Sequence, residues 1–172
     1  MGFRVLLHTG MRPVELFHLT ADNVKGDVLH IKYTKTKTAR RIPLAATLSE
    51  LPAFLATGGF AAELEAGKTA IRRGKIYGQP TKPDSIARAY TSAFSSVIRA
   101  GGLTNDRHVL YSAKDTLVDR LQRQDGMNDD VIRGVIGHVS GQGKLRHYKT
   151  QLGDTPQGLA LMRKHLDAIV YW

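Results

Sequence analysis

The sequence predicts an α+β fold that is mainly α-helical and contains one small antiparallel β-sheet. Apolar residues recur at helical spacing in several segments, most clearly between residues 84 and 100. Residues 28–33 instead alternate between apolar and polar side chains, as one strand of a hairpin does. The 172 residues are 42% hydrophobic and 23% charged, enough to bury a core without disulfides, so we expect one globular domain.

The first half of the chain combines short helices with the hairpin. Residues 2–8 form the end of an apolar helix. Pro13 opens the next helix, which places Arg12 at a helix N-terminus. The segments 28–33 and 40–44 read as two strands on either side of a lysine-rich stretch. We therefore expect a β-hairpin with lysines at its tip.

The second half of the chain is predicted to be helical. Asp84 is a suitable N-cap for the most regular helix, which ends at Gly101. An amphipathic helix begins at Thr155 and can pack on its own chain or reach a neighbouring protomer. The helices predicted after the hairpin span residues 47–56, 60–73, 84–100, 112–124, 128–136, 144–151 and 155–170.

Composition and charge indicate a polyanionic partner. The chain has 25 Lys and Arg against 15 Asp and Glu, a formal net charge of +10, so nucleic acid is the first expectation and anionic lipid the second. Cysteine is absent, which excludes a disulfide framework, a thiolate zinc site and a cysteine nucleophile. No apolar run approaches the roughly 20 residues of a membrane span, so no transmembrane segment is expected. With nucleic acid preferred to anionic lipid, we expect no membrane partner.

Residues 9–16 resemble the first-arginine box of the tyrosine recombinases, the phage integrase family. They read T-G-M-R-P-V-E-L, and the family's box reads T-G-x-R-x-x-E-L, with Arg12 as its arginine. Residues 35–44, K-T-K-T-A-R-R-I-P-L, are similar to the family's hairpin K-x-x-x-x-R-x-x-P-L. This match identifies Lys35 with the catalytic lysine. A single box is a weak signal, and the order of several boxes is a stronger one.

The family's remaining elements follow in the same order. Residues 99–103 resemble the linker before the second box, and that box, usually H-x-x-R-H-T, begins here at Tyr111 as Y-S-A-K-D-T. Lys114 thus stands where the family has its second arginine. The L-G-H element is matched by I-G-H, which ends at His138. Ten residues later Tyr148 stands where the family has its nucleophile.

The resemblance implies site-specific DNA recombination or integration, with metal-independent strand cleavage and rejoining through a 3′-phosphotyrosine. Tyr148 would attack the scissile phosphodiester, and Lys35 would protonate the leaving 5′-oxygen. Arg12, Lys114 and His138 would surround the phosphate, where negative charge develops in the transition state. This chemistry needs no cofactor and no metal.

Two departures from the family pattern matter most. Tyr111 replaces the usual histidine, as in phage-type members, and can bond a phosphate oxygen or position the nucleophile. Lys114 replaces an arginine, and an ammonium is a point charge where a guanidinium grips phosphate with a planar fork. The main alternative is therefore a recombinase-like DNA-binding module with weak or lost cleavage. A helix-turn-helix regulator would explain the charge but not the ordered boxes.

Each candidate residue also has an ordinary structural interpretation. Arg12 alone would be a surface ion-pair partner of Glu15, and Lys35 a solvated lysine at a hairpin tip. Residues 62–69 fit a P-loop loosely, but two glutamates would then face the phosphates. The aspartates at 129–130 complement the dipole at a predicted helix start and do not indicate a metal site.

The resemblance extends from residue 4 to about residue 165 and sets the expectations for partners. It implies double-stranded DNA as the substrate, a homo-tetramer on two synapsed duplexes, and a bacterial cytoplasmic, nucleoid-associated location. Residues 1–172 would form the family's catalytic domain. We expect the family's N-terminal DNA-clamping domain, and the first helix of the catalytic domain, to be absent from this sequence.

Overall fold

The computed structural model describes residues 1–32, 39–60, 83–105, 109–137 and 152–171. These residues are mainly helical and contain one three-stranded antiparallel sheet, which confirms the predicted α+β class. The helices include α1 (Gly2–Thr9), α2 (Pro13–Leu16), α3 (Leu51–Ala56), α4 (Pro83–Ala100), α5 (Ser112–Gln122), α6 (Asp129–Ile136) and α7 (Pro156–Asp167). Short 3-10 turns lie at Ala21–Asn23, Ala46–Leu48 and Leu152–Asp154.

The sheet follows the order of its strands in the chain. The strands are β1 (Val24–Lys25), β2 (Val28–Ile31) and β3 (Arg40–Pro43). Between β2 and β3, Leu29 pairs with Ile42 and Ile31 pairs with Arg40. Because side chains alternate across a strand, these four residues share the buried face of the sheet, and Arg41 lies on the other face. A charged residue, Arg40, therefore points toward the core.

The core lies between the helices and the buried face of the sheet. Helix α1 packs against α5, α6 packs against α7, and α7 lies on β3. Helix α4 contacts α2. The largest side chains with almost no exposure are Leu6, Leu16, Leu29, Ile31, Ile42, Leu48, Leu51, Leu110, Leu117, Leu121, Met162 and Leu166.

Several helix ends differ from the predicted ones. Helix α2 ends at Leu16, and two backbone bonds after it form tight turns, so the predicted apolar face up to Leu19 is only partly helical. The predicted helix at 47–56 begins at Leu51, because Pro52 has no backbone N–H and fits only the first turn. Asp84 lies inside the first turn of α4 and is not its N-cap.

The C-terminal helix packs on its own chain. The predicted start at Thr155 is close to the observed one: Thr155 is the N-cap, and its side chain accepts a bond of 3.0 Å from the Gly158 amide. Arg163 bonds the Leu44 carbonyl at 3.1 Å and the Asp27 carboxylate at 2.6 Å. Helix α7 ends at Asp167, before the predicted end at residue 170. Residues 61–73 and 144–151, both predicted to be helical, lie outside the described residues.

Candidate functional site

Glu15 is the centre of a buried group of charged side chains. Its side chain is 0% exposed. Its Oε2 accepts a bond of 3.0 Å from the Arg12 amide, and its Oε1 accepts one of 3.2 Å from Arg12 Nη1. Arg40 Nη2 donates to Oε2 over 3.2 Å. A carboxylate taken out of water needs such donors, so Glu15 joins the turn before α2 to strand β3.

The tight turn after α1 brings Arg12 to Glu15. Gly10 ends α1 in the left-handed region with φ 59°, and a Cβ there would lie 3.1 Å from side chains of both α5 and α6. Thr9 Oγ1 donates to a carbonyl of α1 at 2.6 Å and accepts a bond of 3.3 Å from the Met11 amide. Pro13 then starts α2. The residues of the predicted arginine box thus build a close-packed turn.

Lys114 approaches the same group from helix α5. It is 8% exposed, and its Nζ donates to the Ile136 carbonyl at the end of α6 over 3.4 Å. Burial lowers the pKa of Lys114 below its usual value, and the nearby Arg12 and Arg40 guanidinium groups lower it further. We call Arg12, Glu15, Arg40 and Lys114 the cationic cluster.

The cationic cluster carries an excess of positive charge. Its three cations and one carboxylate sum to 3 − 1 = +2. The side chain of Arg12 is 24% exposed, against 4% for Arg40. Arg12 is therefore the cation that reaches solvent, and the buried Glu15 holds it in place. Such an arrangement can bind an anion such as a phosphodiester at Arg12.

Arg40 connects the cluster to the end of helix α6. Gly137 caps that helix in the left-handed region with φ 73°. A Cβ on Gly137 would lie 2.7 Å from Arg40 Nη1 and 2.9 Å from Arg40 Cδ, so the guanidinium lies directly against this glycine. Burial lowers the pKa of Arg40, while the contact with Glu15 opposes that shift.

Tyr111 lies beside the cluster in the chain but is not bonded to it. Tyr111 immediately precedes α5, and the residue is 44% exposed to solvent. Its carbonyl accepts a bond of 3.0 Å from the Lys114 amide. Within the described residues, no hydrogen bond or ion pair joins its phenol to the cluster. The phosphate-binding and positioning roles of Tyr111 stay predictions.

The start of α2 contributes less to an anion site than the sequence suggests. Its first free amide, that of Arg12, already donates to Glu15. The helix has only four residues, so its dipole is small. The Arg12 side chain, rather than the helix N-terminus, is therefore the group at this turn that is able to bind an anion.

Three of the predicted catalytic residues, Lys35, His138 and Tyr148, lie outside the described residues. The segments that lead to two of them are described. Arg40 lies in the second hairpin strand, five residues after Lys35, and Gly137 immediately precedes His138. The structure thus brings Arg12 and Lys114 together with Arg40 of the second hairpin strand and with Gly137 of the I-G-H element.

The parts that Glu15 and Arg40 play were not predicted from the sequence. Glu15 was interpreted only as a partner in a surface ion pair, yet that pair is buried. Arg40 was recognised only as a motif residue. One signal was available, because Arg40 alternates in phase with the apolar Ile42 and thus belongs to the core face of its strand.

No family model, curated protein or solved structure matches this chain. The resemblance to the tyrosine recombinases therefore stays a prediction from the sequence. Among the described residues, no three His, Asp or Glu side chains are grouped as metal ligands would be. None of the helices in the described ranges is long and apolar enough to cross a membrane.

Proposed function

We propose that this chain is the catalytic domain of a tyrosine-type site-specific DNA recombinase. The observation that carries the proposal is the cationic cluster. Arg12 and Lys114 belong to separate boxes of the sequence, the resemblance implies that both bind the phosphate, and in the structure the charge of Arg12 acts on Lys114. Their common position around Glu15, with an excess of two positive charges, supports one shared anion site.

The proposed reaction uses a tyrosine because the phosphate-ester energy must be kept for rejoining. Tyr148 would attack the phosphodiester to form a 3′-phosphotyrosine and release a 5′-hydroxyl, with Lys35 supplying the proton to that oxygen. The free phenol has a pKa near ~10, so an adjacent cationic site is needed to favour the phenolate. The attacked phosphate gains negative charge, and the part-exposed Arg12, together with Lys114 and His138, would stabilise it.

The alternative is a recombinase-like domain that binds DNA without cutting it, and one observation favours it. Lys114 stands in place of an arginine, and its Nζ is already bonded to the Ile136 carbonyl. A buried ammonium with a lowered pKa is a weaker phosphate ligand than a guanidinium fork. The two hypotheses share the same DNA surface and differ only in the covalent step.

Covalent trapping separates the two hypotheses. A pool of nicked duplexes with random sequence on both sides of the nick is incubated with the protein, and adducts that survive denaturation are counted. We expect an adduct that forms with the unaltered chain and is absent from Tyr148→Phe. Tyr171→Phe is the matched control, since burial raises the pKa of Tyr171 to about 12 and keeps its phenol neutral.

Two outcomes of the trapping experiment would contradict the proposal. Saturated DNA binding without any adduct, from both the unaltered chain and Lys114→Arg, would reject the cleavage proposal and leave the binding module. An adduct that persists in Tyr148→Phe would show that another residue is the nucleophile. The duplexes retained without covalent attachment also report the sequence preference of binding.

A further inference from the structure

Arg40 is placed where three parts of the proposed site meet. It lies on the buried face of β3, paired with Ile31 across the base of the hairpin. Its Nη2 bonds Glu15, which in turn holds the backbone and the side chain of Arg12. Its Nη1 and Cδ lie against Gly137, the residue before His138. One guanidinium thus connects the hairpin, to which Arg40 belongs, with Glu15 of α2 and with the end of α6.

The charge of Arg40 matters to Arg12 as much as its contacts do. Glu15 carries one negative charge, so Glu15 and Arg12 alone would have no net charge. Arg40 is a second cationic partner of Glu15, and the three side chains together therefore keep a net positive charge that can attract an external anion at Arg12. The arrangement is not the best one for stability, because the Nε of Arg40 is buried without a hydrogen-bond partner among the described residues.

We propose that Arg40 is a positioning residue, which through Glu15 fixes the Arg12 guanidinium and keeps it available for the scissile phosphate. The role in cleavage rests on the proposed recombinase function, and the role in ordering Arg12 does not. A lysine cannot replace it, since an ammonium lacks the planar fork that reaches Glu15 and Gly137 together.

The test uses a double variant that removes the Arg40–Glu15 pair without changing the net charge. In Arg40→Met/Glu15→Gln the cluster keeps Arg12 and Lys114, so its formal charge is 2 − 0 = +2, equal to 3 − 1 = +2 in the unaltered chain. Replacing both members of a buried pair by neutral groups often preserves folding. Glu15 also bonds Arg12 directly, so the deciding comparison is Arg40→Lys, which keeps both Glu15 and the charge. If Arg40 were only structural, Arg12 would stay ordered in folded Arg40→Lys.

Two measurements then distinguish positioning from structure. The nitrogen-15 NMR spectrum of the arginine side chains reports whether the Nη groups of Arg12 are held or rotate freely, with Arg12→Lys used to assign the signal. We expect separate Nη signals in the unaltered chain and one averaged signal in the double variant. We also expect adduct formation at saturating DNA to slow by about 10²-fold, as for a group displaced by roughly an ångström. The dissociation constant for duplex DNA stays almost unchanged.

Arg41→Lys is the matched control for the neighbouring position. Arg41 follows Arg40 in the same strand, lies on the opposite face and pairs with Asp154 at 2.7 Å. It should leave both the Arg12 signals and the cleavage rate unchanged. Arg40→Lys keeps the charge and Glu15 but removes the fork, and the same two measurements are made on it, with the same expected loss of Arg12 order.

The outcomes separate this proposal from the proposed function. Separate Arg12 signals in the folded double variant or in Arg40→Lys, or averaged signals in the unaltered chain, would overturn the positioning role whether or not the chain cuts DNA. An unaltered chain that forms no adduct but loses Arg12 order in the variants would reject the recombinase function and keep the ordering role. A cleavage rate that is unchanged in a disordered variant would show that the order of Arg12 does not matter to catalysis.

Discussion

The buried position of Glu15 predicts that Glu15→Gln destabilises the protein far more than the same change at an exposed ion pair. The carboxylate is 0% exposed and faces two guanidinium groups. Removing one partner of a buried ion pair leaves uncompensated charge and costs about 3–5 kcal/mol. Glutamine keeps an acceptor for the Arg12 amide, so we expect the lower end, about 3 kcal/mol.

The matched control is Glu50→Gln. Glu50 pairs with Arg4, and the side chains of the two residues are 55% and 44% exposed. An exposed pair contributes about 0–1 kcal/mol. For a chain of this length, 1 kcal/mol corresponds to roughly 2–4 °C in Tm. The expected loss is thus about 6–12 °C for Glu15→Gln and at most about 4 °C for Glu50→Gln.

Thermal unfolding followed by circular dichroism measures both shifts, and salt provides a second comparison. At about 1 M salt the screening length is about 3 Å, so the small effect of Glu50→Gln should vanish. The effect of Glu15→Gln should persist, because buried pairs are screened much less. Equal shifts for the two variants, or a Glu15→Gln shift that salt removes, would refute the buried cluster.

Three further predictions test the turn, the core and the phosphate contact. Gly137→Ala should lower Tm more than Gly26→Ala, since both glycines have positive φ, at 73° and 59°, but only at Gly137 would the Cβ contact Arg40. Burial lowers the pKa of His8 below 6.5, so the unfolded chain binds this proton more tightly, and the free energy of unfolding in urea should fall as the pH drops below that value. His8→Gln should flatten that dependence. Arg12→Ala should abolish adduct formation in the trapping assay but weaken duplex binding in a filter assay only about threefold, because it removes one phosphate contact among several.

Helix ends that depend on a single residue and its neighbours in sequence were predictable. Asn128 was expected to start a helix, and its side chain accepts a bond of 2.8 Å from the Asp130 amide at the start of α6. Thr155 starts α7 in the same way. Gly10 ends α1 with the left-handed conformation that favours glycine. Such signals involve neighbours in sequence, so they need no knowledge of the tertiary fold.

Elements that depend on distant partners were not predictable. Strand β1 has only two residues, Val24 and Lys25, too few to show alternation, and it exists because Val24 pairs with Leu29. The charged cluster is the same kind of case. Whether Glu15 is solvated or buried depends on Arg40, which is far from it in the sequence and is brought near only by the hairpin.

The lysine at position 114 fits the surroundings that the structure gives it. An arginine there would place a third permanently charged guanidinium beside Arg12 and Arg40, and among the described residues Glu15 is the one carboxylate bonded to those two. Lysine is the cation that can adapt, since its pKa falls under burial and repulsion and rises again when an anion binds nearby. Lys114 in place of an arginine, and Arg40 beside Glu15, thus both determine the net charge around Glu15.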